Sequence, residues 1–117
     1  MAAHNKIRIP FEIDGRRFEA VGFLTEWESS VNGDEMLART ATENGGAIGD
    51  EDEAVLSERR DKLPTELQKY YLVTNRRHPG NSRNVSYFSW DGVRWHQYWS
   101  SLDDQWHGHG LVVRRCA

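Results

Sequence analysis

NVSYFSWDGVRWHQYW, residues 84–99, is the stretch on which the fold reading turns. Two runs of aromatic and β-branched side chains flank Asp91-Gly92, a pair that adopts the positive φ angles of a tight type I′ bend. The stretch predicts an antiparallel hairpin with a two-residue turn. Trp90 then lies opposite Val93, Phe88 opposite Trp95 and Tyr87 opposite His96. Side chains alternate with period two, so the register sorts them into faces. Phe88, Trp90, Val93, Trp95 and Trp99, with Ser86 and Gln97, form the expected core face. Val85, Tyr87, Ser89, Arg94, His96 and Tyr98 form an amphipathic face. Three of the five tryptophans fall here, enough aromatic area to organise a small domain.

Outward from this hairpin, residues 77–83 read as a Pro/Gly/Asn loop and residues 70–76 as a sheet segment. On the other side, residues 111–115 close as a last strand behind a His-Gly connector. Near the N-terminus, residues 6–13 alternate cleanly and Asp14-Gly15 supplies a second I′-type turn into residues 16–24. Phe11 then faces Phe18, and Glu12 faces Arg17 as a cross-strand ion pair. Pro10 cannot donate to a ladder, which places this strand at an edge or a bulge. Residues 28–50 lose periodicity and read as a long polar, acidic loop with Met36-Leu37 as its apolar anchor. Asp50 with Glu53 three residues on suggests a capping box, opening a surface helix that Pro64 ends. The expectation is a single β-rich α+β domain over residues 1–117. Its core would be a curled antiparallel sheet or partly open small barrel of five to six strands with one surface helix.

Composition bounds the function classes. The chain has 117 residues, 11% aromatics and a net charge of −3, and no run approaches the ~20 apolar residues of a membrane helix. Without an apolar signal core in its first residues, a cytoplasmic protein is expected. Cys116 stands alone, which excludes an internal disulfide. Charge is segregated: residues 25–53 carry nine carboxylates against Arg39, whereas residues 54–117 carry ten Lys/Arg against six acids. Such asymmetry suits either a basic partner or two regions of the chain that face each other.

Four constellations bear on chemistry. His107 and His109 share a spacing that metals use, with His96, Asp103, Asp104 or Cys116 as further ligands, but flanking glycines favour a solvated connector. Residues 44–49 are glycine-rich before a helix, yet acids stand where a phosphate would sit and no Walker lysine follows. Glu26 and Glu28 have the i,i+2 spacing of paired carboxylates on a strand, the pattern of a small hydrolase, without a visible environment to raise one pKa. Arg76, Arg77, His78 and Arg83 lead onto Tyr87, Arg94, His96 and Tyr98, cations interleaved with stackable rings as in single-stranded nucleic-acid binding. The same Tyr, Arg and Trp types dominate protein interfaces. The reading that asks least is a binding module without cofactor or metal. Another protein is its expected partner, Tyr87, Arg94, His96 and Tyr98 its contacts, and Arg76, Arg77 and Arg83 its rim.

Overall fold

The computed structural model describes residues 7–41 and 45–116. It is β-rich. Six strands form one open sheet in the order β1-β2-β8-β4-β5-β6, and β3 pairs with β7 in a small second sheet. In chain order these are β1 (Arg8–Ile13), β2 (Arg16–Val21), β3 (Ser30–Asn32), β4 (Tyr71–His78), β5 (Asn81–Trp90), β6 (Trp95–Ser101), β7 (Gln105–His107) and β8 (Gly110–Arg115). Two helices, α1 (Gly33–Thr40) and α2 (Asp50–Glu58), join β3 to β4, with short 3-10 turns at Arg60–Lys62 and Thr65–Leu67. The sheet does not close into a barrel.

The N-terminal hairpin has the register its sequence predicts: Phe11 opposite Phe18 and Glu12 opposite Arg17. Asp14 and Gly15 take φ of 51° and 78°, the left-handed region that a type I′ turn requires. β1 is an edge strand, so the missing N–H of Pro10 breaks no central ladder.

The aromatic hairpin departs from expectation in its bend. Trp90 pairs with Trp95 and Tyr87 with Tyr98, so the turn holds four residues, Asp91 to Arg94. The Asp91 carboxylate explains the length. Its Oδ1 accepts from the N–H groups of Val93 (2.7 Å) and Arg94 (2.8 Å), and the Asp91 N–H donates to the Arg94 carbonyl at 3.1 Å. The slip is two residues, and a period of two preserves both faces. Phe88 and Trp95 remain in the core; Val93 and Arg94 leave the sheet for the turn.

Residues 28–50 are not the long loop their composition suggests. Asn32 caps α1, its side chain accepting from the Glu35 N–H at 2.8 Å, with Asp34 and Glu35 in the first turn and Arg39 in the last. Beyond α1, Ala47 and Ile48 wedge into the main sheet. β4 and β8 run parallel from Tyr71 to Val73 and then splay; the Ile48 N–H donates to Val113 and its carbonyl accepts from Asn75. α2 also differs from expectation: Gly49 is its N-cap, without a side-chain bond. Glu53, read as half of a capping box, is instead fully buried under the sheet.

Both faces of the sheet are covered. Phe11, Phe18, Leu72, Phe88, Trp95 and Leu111 pack against Leu56 of α2 and against Leu63 and Leu67 beyond it. Val73, Val85 and Val112 pack on the opposite side against Met36 of α1, Val31 of β3 and Trp106 of β7. The second face of the aromatic hairpin is therefore only partly open.

Candidate functional site

The bend at Asp91 to Arg94 overhangs a cleft of about 570 Å³, walled on the far side by the segment that follows α2. Trp90 and Trp95 line it, edge to face at 5.8 Å, beside Leu63, Arg60, Arg94 and His96. Asp91 positions this mouth. While Oδ1 holds the bend, Oδ2 meets His96 Nε2 at 2.6 Å. Hydrogen bonds from the Arg94 and Val93 N–H groups, and then from His96, hold the Asp91 carboxyl at about 2, well below the usual carboxylate range. The anionic form that fixes the turn thus persists far into acid.

Arg60 and Arg94, like Arg17 and Arg77, meet no carboxylate among the described residues, and of these four only Arg60 and Arg94 line the cleft. Eight of the other arginines are in ion pairs, among them Arg39 with Glu28 and Glu35, Arg76 with Glu53, and Arg83 with Asp34 and Asp103. Among the described residues no carboxylate pairs with Arg60 or Arg94, and both reach the same cleft. An open groove with an aromatic wall, two guanidiniums and an imidazole can hold an anionic, partly apolar group without displacing an internal partner. Asp61 also lines the cleft and limits how much negative charge it accepts.

The residues singled out from sequence are dispersed rather than gathered. His96 and Arg94 meet at the cleft. Tyr87 is half-buried in an aromatic cluster, within 5.7 Å of Tyr71, 6.2 Å of Trp106 and 5.6 Å of Tyr98. Tyr98 is the outer member and is 44% exposed. Arg76 turns to the α2 side of the sheet, where it donates to Glu53 at 2.8 Å and lies over the Trp99 ring at 5.5 Å. A bulge between Val73 and Arg77 places it there, because extra residues in one strand re-aim the side chains that follow. Arg83 turns to the opposite side and joins α1 to the β6–β7 turn through Asp34 (2.7 Å) and Asp103 (2.7 Å). Arg77 is exposed, its guanidinium held by Asn75 and the Ser82 carbonyl. The expected basic rim is thus largely neutralised and split between two faces.

The acidic stretch is engaged in the same way. Glu28, Asp34, Glu35, Glu51, Asp52 and Glu53 all pair with arginines of this chain. Asp34, Asp52 and Glu53 meet arginines of residues 54–117, Glu51 and Asp52 meet Arg16, and Glu28 and Glu35 meet Arg39 of their own segment. Glu26 and Glu28 do not sit on a strand: β2 ends at Val21, and residues 26–27 form a turn. Arg39 clamps Glu28 through both carboxylate oxygens, and the Thr25 N–H adds a bond at 2.9 Å. Together they lower the Glu28 carboxyl to about 2. The clamped turn presents Trp27 at 90% exposure, the most exposed large apolar side chain among the described residues.

His107 ends β7 and His109 lies in the turn before β8. Among the described residues no three His, Cys, Asp or Glu side chains converge as a metal site would require. Asn44, which opens the glycine-rich stretch, lies outside the described residues; Ile48 within the stretch belongs to the core. Cys116 lies beside Glu19, and burial pushes its thiol up, away from the thiolate a nucleophile needs.

Sequence reasoning missed Arg60, Trp90 and Leu63 as cleft residues. Their separation along the chain hides the site: about thirty positions divide the two walls, and no local pattern reports that they meet. The chain matches no family model, no curated protein and no solved structure.

Proposed function

We propose that this protein is a non-enzymatic binding domain and that its ligand is an acidic segment of another protein, taken up in the cleft between the hairpin bend and residues 60–68. One observation carries the reading. In a molecule where most guanidiniums are tied to carboxylates, Arg60 and Arg94 lack such a partner and line the same aromatic cleft. Arg and Trp beside each other are the residue types that dominate interface energetics. A basic partner for residues 25–53 has less support, because most of those carboxylates are already occupied. Nucleic acid also has less support: Asp61 lines the cleft, Asp91 holds the bend above it, and most of the other described arginines are already paired with carboxylates.

The test is quenching of tryptophan fluorescence by a glutamate- and leucine-containing peptide, with an oligothymidine as comparison. The peptide is expected to quench the wild-type protein, with affinity that falls as salt rises. Arg94→Glu should weaken it at least tenfold while circular dichroism stays unchanged. Saturation by the peptide that is indifferent to Arg94→Glu and Arg60→Glu, or binding of the oligonucleotide alone, would overturn the reading.

A further inference from the structure

The two edges of the main sheet are treated differently. β1 carries Pro10 and exposed charges at Arg8 and Glu12, devices that discourage another strand from pairing there. β6 has none of them. Its seven residues, WHQYWSS, contain no proline, lysine or carboxylate, and its one strand neighbour is β5. The direction of its free groups follows from the hairpin ladder. Arg94 accepts from the Asp91 N–H and Leu102 donates to Arg83, so the even-numbered residues of β6 exchange bonds with β5. The N–H and C=O of Trp95, Gln97 and Trp99 point the other way. Among the described residues nothing bonds to them.

We propose that β6 pairs with β6 of a second copy, antiparallel, about a two-fold axis through Tyr98. This register sets Gln97 of each copy against Trp99 of the other, so the outward groups of both meet as hydrogen-bonded pairs. Charge favours the same arrangement. The strand interior is neutral; before it stand Arg94 and Asp91, the latter's carboxylate taken up by the bend N–H groups and His96, and after it come Asp103, which holds Arg83, and Asp104. An antiparallel partner lays the cationic end of each copy beside the anionic end of the other, whereas a parallel one would align like with like. At the axis, Tyr98 meets Tyr98 of the second copy in the closer, non-hydrogen-bonded type of pair. Its exposed ring covers its counterpart while resting on Tyr87, 5.6 Å away.

Sedimentation equilibrium across about 1 to 500 μM, a range that spans weak association, tests the pairing. The wild-type mass is expected to double with concentration. Tyr98→Lys, which places two ammonium groups at the axis, should abolish the doubling, and so should Gln97→Pro, which removes an outward N–H without touching the β5 ladder. A third measurement separates loss of pairing from loss of folding. In a Cys116→Ser background, Tyr98→Cys should form a disulfide dimer under mild oxidation faster than Trp27→Cys, a control at a more exposed position that random collision would favour. A mass that stays monomeric throughout, or a dimer that survives both substitutions, or crosslinking no faster at position 98 than at 27, would each refute the pairing.

Discussion

Glu53 is the residue whose environment is least expected from its type. A fully buried carboxylate is stable only when its charge and lone pairs are met. Here Arg76 donates to Oε1 at 2.8 Å and the Ser86 hydroxyl to Oε2 at 2.6 Å, and Gln97 in turn donates to the Ser86 oxygen at 3.1 Å. The partners are unequally buried, since 39% of the Arg76 side chain remains exposed. That inequality sets the expected mutational pattern. Arg76→Ala strands a buried charge and should cost about 3–5 kcal/mol. Ser86→Ala leaves one carboxylate oxygen unmet and should cost about 1–3 kcal/mol. Glu53→Gln should cost less than Arg76→Ala, because the amide keeps a hydrogen bond to Ser86 and the guanidinium turns to water. Urea denaturation of the three variants checks the order, and a Glu53→Gln cost above that of Arg76→Ala would contradict it.

At the scale of elements, the packing of α1 and of the aromatic hairpin rests on particular close approaches. α1 begins at Gly33, whose N–H donates to the Leu102 carbonyl at 2.8 Å. A Cβ at this position would stand 2.5 Å from the Leu102 Cα, and backbone cannot yield as a side-chain tip does. Gly33→Ala should therefore destabilise by about 1–3 kcal/mol or more through overpacking, despite alanine's better helix propensity. Trp95 contrasts with Trp27. The first is 4% exposed and joins the sheet to the segment after α2, so its truncation to alanine should cost about 3–5 kcal/mol. The second projects from its clamped turn, and Trp27→Ala should shift stability by no more than about 0.5 kcal/mol. Thermal denaturation of the three variants, followed by far-UV circular dichroism, separates these outcomes.

For the whole molecule, internal pairing of segregated charge makes stability depend on pH in a defined sense. Glu28 and Asp91 sit at about 2, and Arg83 lowers the Asp34 carboxyl. Each folded value lies below the ordinary carboxylate range. Each contribution is thus fully present above about pH 4.5 and is lost as pH falls toward 2, where protonation is taken up preferentially by the unfolded chain. The urea midpoint should therefore drop progressively below about pH 4. Arg39→Leu should raise the Glu28 carboxyl toward the ordinary range, with the Thr25 N–H still lowering it, read by carbon-detected NMR titration. A midpoint that rises between pH 4 and 2 would contradict this assignment.

What the chain determined by itself is local. Period-two alternation and the two Asp-Gly bends define both hairpins, their faces and the edge position of Pro10, because register is carried by residues within a few positions of each other. Asn32 and Glu35, with Asp34 and Arg39, also carried a legible signal for α1, masked by the polar composition around it. The bend at Asp91 shows the limit of local reading. Asp-Gly favours a two-residue turn, but an aspartate whose carboxylate collects two N–H groups and His96 favours the longer one. Only the tertiary structure decided the rest: the parallel pairing of β8 with β4, the Ile48 wedge, the burial of Glu53 and the two walls of the cleft. It likewise decided which arginines meet a carboxylate and which do not. These depend on contacts between residues far apart in sequence, whose energies exist only once the sheet has ordered its strands.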